Sequence, residues 1–374
     1  MTLTRSLSNS GKKKFQLKPQ TQEKIDGYLE RKFRVSRSYA TKESYMRILH
    51  RFADYIQNHR NEDIEELFEQ FKQGKQDPIE ILDQYFSFLA SGPKILSNNT
   101  IRLYVTIAKD FLNYLGCKIY IEDIKQRFRL PKARHAYEEG LTKETINRLV
   151  RFANPKLATS ILMACSSGMR ISELLQLRLS DIDFTRVPTT VIIRAETTKT
   201  RETRLTHISA EATNSLKDYL NRYRIMDYLF LKKDHQNEEQ YNRDVVTTRQ
   251  SFERMLRHVR QNIAELNKKN ENGRNSIHFH AFRAWFKTQV TDAHQSDFAE
   301  ALMGHKSLKI IYYRQNDKAR SKTYLDVEHA LTISDTEKID RDYSDMQKDN
   351  LELRGIVDSL SRQLRNLEKR IEIK

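Results

Sequence analysis

The run Gly168-Met169-Arg170-Ile171-Ser172-Glu173-Leu174-Leu175, with Leu177 just beyond it, opens an amphipathic helix on an arginine that directly follows a glycine. Three further blocks lie downstream. Thr198-Lys199-Thr200-Arg201 sits between two β-like runs, and Leu302-Met303-Gly304-His305 stands shortly before the pair Tyr312-Tyr313. Between them, His280-Ala281-Phe282-Arg283 has the spacing that puts its two polar ends on one helical face. An ordered series of basic residues ending in tyrosine suits the breaking and rejoining of a phosphodiester. A phenol titrates near pH 10 (roughly), so it attacks phosphorus at neutral pH only when a base takes its proton and cations surround the phosphate. A guanidinium fork grips two phosphoryl oxygens at once and keeps its charge, which two arginines here could supply.

Composition agrees with a polyanionic partner. The chain has 66 Lys+Arg against 50 Asp+Glu, a formal net charge of +16, spread over many segments, and nucleic acid is the first candidate. Its 374 residues are enough for two domains or more, each with its own core. Cys117 and Cys165 are the only cysteines, which leaves no disulfide framework or cysteine-rich zinc site and points to a reducing compartment. No apolar leader and no long apolar run is present, so the expectation is a protein neither secreted nor in a membrane. Gly11 and Gly27 are the nearest pair of glycines along the chain, too far apart for either glycine-rich nucleotide loop. Any DNA rearrangement must then conserve bond energy covalently, without a P-loop nucleotide.

The N-terminal stretch 1–19, with Lys12-Lys13-Lys14, lacks apolar periodicity and reads as a basic disordered arm. Residues 20–130 read as helical, with a quasi-repeat. Tyr45, Phe52 and Tyr55 stand at offsets of 0, 7 and 10, and Tyr104, Phe111 and Tyr114 repeat them. Those offsets share one helical stripe, so two core-facing helices with buried aromatic sides are expected. Arg37, Lys42, Arg47, Asn99 and Arg102, on the other face and at the helix starts, are the candidates for phosphate contact. Around 131–140, Pro131 and the basic run Lys132, Arg134 and His135 break the pattern as a linker. Leu141-Thr142-Lys143-Glu144 is a helix start with Thr142 as N-cap. From 141 to 333 the reading is mainly helix with a small sheet, whose strands are Asp181-Ile182-Asp183-Phe184, Thr189 to Arg194 and Arg204 to Ile208.

Taken in order, these blocks resemble the tyrosine recombinase (phage integrase) family, from about residue 20 to about residue 333. The resemblance implies a mainly α, two-domain, C-shaped DNA clamp, with a small helical core-binding (SAM-like) domain and a mixed α/β catalytic domain. It implies a site-specific recombinase, an integrase or transposase of a mobile element, that forms a 3′-phosphotyrosyl intermediate on double-stranded DNA without metal, ATP or other cofactor. Arg170 and Arg283 would bind the phosphate, Lys199 would be the general acid, His280 an acid/base near the tyrosine, and His305 a donor to the scissile phosphate. Arg201 joins the DNA-contact set, and a cytoplasmic, nucleoid-associated place follows. In the family the tyrosine lies ten residues beyond the glycine of Gly-His, a position held here by Arg314. The run Tyr312-Tyr313-Arg314-Gln315 is similar to the double-tyrosine segment of archaeal integrase-like proteins, which makes Tyr313 the expected nucleophile after a one-residue deletion. Tyr312 and Tyr324 are the alternatives. A type IB topoisomerase shares the chemistry, and a catalytically silent architectural DNA-binding protein could share the scaffold.

Residues 340–374 carry a separate signal. Asn350, Val357, Leu364 and Ile371 fall at a, and Met346, Leu353, Leu360 and Leu367 at d, of an unbroken heptad seam. β-branched and leucine a positions over d leucines suit a two- or three-stranded coil, with Asn350 fixing register. In a parallel dimer Asp349 would face the partner's Arg354. A homo-oligomer on DNA, dimer or tetramer, assembled with help from this coil is the expectation, against a helix folded back on its own chain.

Overall fold

The computed structural model describes residues 17–92, 96–127, 130–132, 139–232, 234–267, 269, 275–293, 295–305, 316–334 and 357. The tyrosine pair Tyr312-Tyr313, most of the N-terminal arm, Arg134 and His135 of the linker, and the heptad seam except Val357 lie outside them. The chain divides into two compact units, Met1–Tyr137 and Glu138–Lys374. No helix among the described residues is long and apolar enough to cross a membrane.

The first unit is helical: α1 (Pro19–Ser36), α2 (Tyr39–Asp54), α3 (Ile64–Lys72), α4 (Pro78–Ser91), α5 (Asn98–Tyr114) and α6 (Ile121–Arg127). The starts follow from local chemistry. Ser38, Asp63, Asp77 and Ser97 each accept a hydrogen bond from a backbone N–H of the first turn, which satisfies a donor that the helix itself leaves open. Pro19 occupies the first position of α1 and Leu17 packs against the core. Helix and core packing are therefore present slightly before the expected boundary at residue 20. The repeated aromatic stripe lies on α2, its π-helical extension Tyr55–His59, and α5. Phe52, Tyr55 and Phe111 are buried, and Tyr45 and Tyr104 pack partly buried against them. Tyr114 departs from the expectation: it is 36% exposed, its ring set edge-on against Tyr28 with centroids 5.6 Å apart.

The second unit is built around α8 (Pro155–Ser167). The sequence Leu157 to Ser167 is buried on nearly every side, the behaviour of a helix whose small and apolar residues leave it no wet face. Around it stand α7 (Lys143–Phe152), α9 (Ile171–Leu175), α10 (Ala210–Tyr223), α11 (Glu238–Gln261), α12 (Phe279–Asp292), α13 (Ser296–Met303) and α14 (Asp317–Leu331). Thr142 caps α7 by accepting from the Thr145 N–H. A three-stranded antiparallel sheet runs in the order β1 (Ile182–Asp183), β2 (Thr189–Ile193), β3 (Arg204–Ile208). Its register pairs Ile182 with Val191 and Val191 with Thr206. β1 is shorter than the four residues expected. Asp181 leaves the ladder because its carboxylate accepts from the Arg178 N–H at 2.8 Å and from Arg194 Nε at 3.1 Å. The chain is thus mainly helical with one small antiparallel sheet, as its periodicities indicate.

Candidate active site

Arg170 owes its position to the end of α8. Gly168 closes that helix at φ 63°, its N–H bonded to Ala164 O. A Cβ there would run into the Phe286 ring, so only glycine permits both the left-handed turn and the close approach. Two residues on, Arg170 is the N-cap of α9, and Glu173 in the first turn reaches back to accept its backbone N–H at 2.9 Å. The same carboxylate accepts from Arg170 Nη1 at 2.9 Å. Glu173 is fully buried. Burial alone would raise its pKa, but the Arg204 and Arg170 donors outweigh that and hold it below the usual carboxylate range.

Arg283 sits on α12 and is only 1% exposed. Its guanidinium donates from Nη1 to Gly168 O and from Nη2 to Met303 O, the latter at 3.0 Å. Both acceptors lie at helix C-termini, where carbonyls lack intrahelical partners and carry partial negative charge. Burial first, then the neighbouring Arg170, lower the Arg283 pKa to about 10, which still leaves it charged at neutral pH. Arg283 Nη2 also faces His305 Nε2 at 2.8 Å. The other ring nitrogen, Nδ1, meets Glu300 Oε2, and Lys287 Nζ holds Glu300 Oε1. A guanidinium can only donate, so Nε2 accepts here and the Nδ1–H points to Glu300.

His280 is exposed near the start of α12 and Arg283 follows one turn later, on the same face. Both line a cavity of about 530 Å³ that also takes in Arg170, His278, Arg249, Arg257 and Arg260. Arg170, His280 and Arg283 thus meet at one cavity, and His305 reaches it through Arg283. Lys199 stands exposed on the β2–β3 connection, outside that lining. Thr198 pins its loop: the hydroxyl donates to Ala195 O at 3.0 Å and accepts from the Glu202 N–H at 3.1 Å. Arg201 follows at φ 57°.

Among the DNA-contact candidates of the first unit, Arg47 and Asn99 are exposed on α2 and α5, and Arg37 ends α1 in the left-handed region at φ 50°. Lys42 is ion-paired with Glu30, and Arg102 Nη1 donates to Pro131 O at 3.0 Å. Part of each cation's capacity is therefore spent within the protein. Tyr324 is buried, with its hydroxyl donating to Ser166 O at 2.7 Å.

Two sets of residues escaped the sequence reading. Arg249, Glu253, Leu256, Arg257 and Arg260 are spaced along one face of α11, and that periodicity was available to find them. Arg204 is different: its partners Glu173 and Leu302 are distant along the chain, and no local pattern marks it.

Residues 139–320 match the phage integrase family model. A tyrosine recombinase of Thermosipho africanus is 26% identical over 190 residues, which cover 48% of this chain and 60% of that protein. The match thus spans less than two thirds of that relative's length. A lambda integrase dimer bound to a COC′ core site superposes at a TM-score of 0.50, with 16% identity over 80% of this chain and 78% of that one. A lambda integrase tetramer bound to a Holliday junction gives a TM-score of 0.50, with 14% identity over 82% of this chain and 85% of that one. At these identities the likeness to the solved structures is one of fold.

Proposed function

We propose, since residues 139–320 match the phage integrase family model, that the chain is a site-specific recombinase that cuts and rejoins double-stranded DNA through a phosphotyrosine. The observation that carries this reading is the meeting of Arg170, His280 and Arg283 at one cavity, with His305 bonded to Arg283. The Tyr313 oxygen attacks the scissile phosphorus as its proton passes to His280, and a bond forms between that oxygen and phosphorus. The bond from phosphorus to the sugar 5′ oxygen breaks, and Lys199 protonates the departing oxygen. Arg170 and Arg283 neutralise the equatorial oxygens in between, and His305 donates to the same phosphate once its Nε2, which accepts from Arg283 without DNA, gives up that bond and gains a proton. Attack by another 5′ hydroxyl reverses the sequence and completes the exchange. Two fixed guanidiniums supply the charge stabilisation, so the reaction calls for no metal or nucleotide.

Arg37, Lys42, Arg47, Asn99, Arg102 and Arg201 are the proposed contacts to the DNA backbone; such contacts give affinity and register without reading sequence. The heptad seam of residues 340–374 supports a homo-oligomer on DNA joined through that segment, and the double tyrosine supports a mobile element of the archaeal type. Work on DNA supports a cytoplasmic, nucleoid-associated place.

The test is a nicked duplex carrying an end of the element, incubated with the protein in EDTA and analysed by peptide mass spectrometry. A phosphotyrosyl adduct with a free 5′ hydroxyl is expected. Bound DNA with no adduct on any end tried would favour the architectural alternative. In the same assay Tyr324→Phe is expected to react normally, since the hydroxyl it removes is committed to Ser166 O. Its loss leaves a buried carbonyl short of a donor and should cost about 1–2 kcal/mol in a urea titration. Loss of the adduct in that variant would instead make Tyr324 the nucleophile.

A further inference from the structure

Arg204 opens β3, five residues beyond Lys199, and every nitrogen of its guanidinium is engaged. Nη2 donates to Glu173 Oε2 at 2.6 Å, Nη1 to Glu173 Oε1 at 3.2 Å, and Nε to Leu302 O at 2.8 Å. The side chains of Arg204 and Glu173 are 10% and 0% exposed. On one side, therefore, Arg204 grips the carboxylate that orients Arg170. On the other it grips the end of α13, where Gly304 turns the chain into His305. Gly304 adopts φ 68°, and a Cβ on it would come within 2.8 Å of Arg204 Cδ. The bare glycine is what lets the arginine lie against the turn.

We infer that Arg204 is a positioning residue for phosphoryl transfer, a tie that fixes the spacing between Arg170 and His305 across the scissile phosphate. The inference rests on the recombinase reading of the site. Arg204 is nearly buried and spends its donors inside the protein, so it acts through other side chains and touches no DNA. A fork is required for this job. Two nitrogens take the carboxylate in its own plane while the third points to a carbonyl on a different element, and a lysine can hold only one of these ends. The arrangement also explains why the Glu173 carboxylate is tolerated without solvent: each of its oxygens accepts from both arginines, counting the Arg170 backbone N–H.

The test compares Arg204→Lys and Arg204→Ala with the wild-type chain in single-turnover cleavage, DNA affinity and thermal unfolding. Two substrates are used: ordinary DNA, and DNA whose scissile 5′ bridging oxygen is replaced by sulfur. A thiolate leaves without needing a proton, because its conjugate acid titrates near pH 8.5 (roughly). Defects in leaving-group protonation therefore disappear on the sulfur substrate, and defects in charge stabilisation persist. Both variants are expected to cleave up to roughly a hundredfold more slowly, the cost that a misplacement of about 1 Å can carry, equally on both substrates and with unchanged affinity. Wild-type cleavage by Arg204→Lys would overturn the inference. So would rescue by sulfur, which would mean that Arg204 serves the Lys199 hairpin, or a fall in affinity matching the fall in rate, which would make it a DNA contact. Arg204→Lys keeps a cation opposite Glu173 and serves if Arg204→Ala fails to fold. If the wild-type chain forms no adduct on either substrate, the recombinase reading fails first.

Discussion

Arg283→Lys lowers the single-turnover rate of adduct formation by roughly a hundred- to a thousandfold, the loss expected when one preorganised donor to a developing phosphorane is removed. The argument is geometric before it is electrostatic. Arg283 is held from below by Gly168 O and Met303 O, so its plane is set before DNA arrives and no reorganisation is needed at the moment of reaction. A lysine keeps the charge but is a point donor on a flexible stem, and it cannot span the two carbonyls while facing a phosphate. The same substitution also costs stability. It leaves at least one buried helix-end carbonyl without its donor, about 1–3 kcal/mol, seen as a lower midpoint in thermal unfolding. Arg170→Lys separates the two effects. Arg170 is partly exposed and, among the described residues, its side chain bonds to the Glu173 carboxylate in its own helix turn, so it should lose comparable activity with a much smaller loss of stability. Equal unfolding midpoints for the two variants would show that the Arg283 carbonyl contacts contribute nothing. Near-normal adduct formation by either would remove that arginine from the phosphate site.

The contrast between these two arginines shows what the sequence could disclose. Arg170 was legible because everything that places it is local: a glycine to end one helix, a Glu173 to receive its backbone N–H, and leucines to bury the next turn. His280 and Arg283 were legible as a pair because one helical turn separates them, and the β2–β3 hairpin because two β-branched runs bracket a polar loop. The depth of Arg283 was not. Its burial depends on the ends of α8 and α13 arriving from either side, and nothing around residue 283 encodes that. Arg204 is the stronger case: a lone arginine at the start of a strand reads as a solvent-facing edge residue until Glu173 and Leu302 are brought to it. The basic face of α11 lies between the extremes. Its spacing was visible, but only the cavity gives Arg257 and Arg260 a common purpose with Arg170. Tyr114 failed in the opposite direction, since its offset matched that of Tyr55 while its helix was already ending.

Tyr313→Phe abolishes the covalent adduct altogether, whereas Tyr312→Phe retains it. The difference is one of register. The family's nucleophile would fall at Arg314 counting from Gly304, and a guanidinium cannot become a nucleophile at any accessible pH. A deletion of one residue between His305 and the tyrosines restores the alignment at Tyr313 and leaves Tyr312 one position before it. Removing a nucleophile also differs in kind from removing a cation. Loss of Arg283 weakens a transition state that can still form, while loss of the attacking oxygen deletes the intermediate, so Tyr313→Phe should bind DNA with wild-type affinity and accumulate no adduct at any time or pH. Affinity and adduct measured on the same nicked duplex make the distinction. An adduct in Tyr313→Phe that vanishes in Tyr312→Phe would move the deletion to two residues, with the arginine and histidine roles unchanged. An adduct surviving in both single variants and lost only in the double would mean that the segment can present either hydroxyl to the same phosphate.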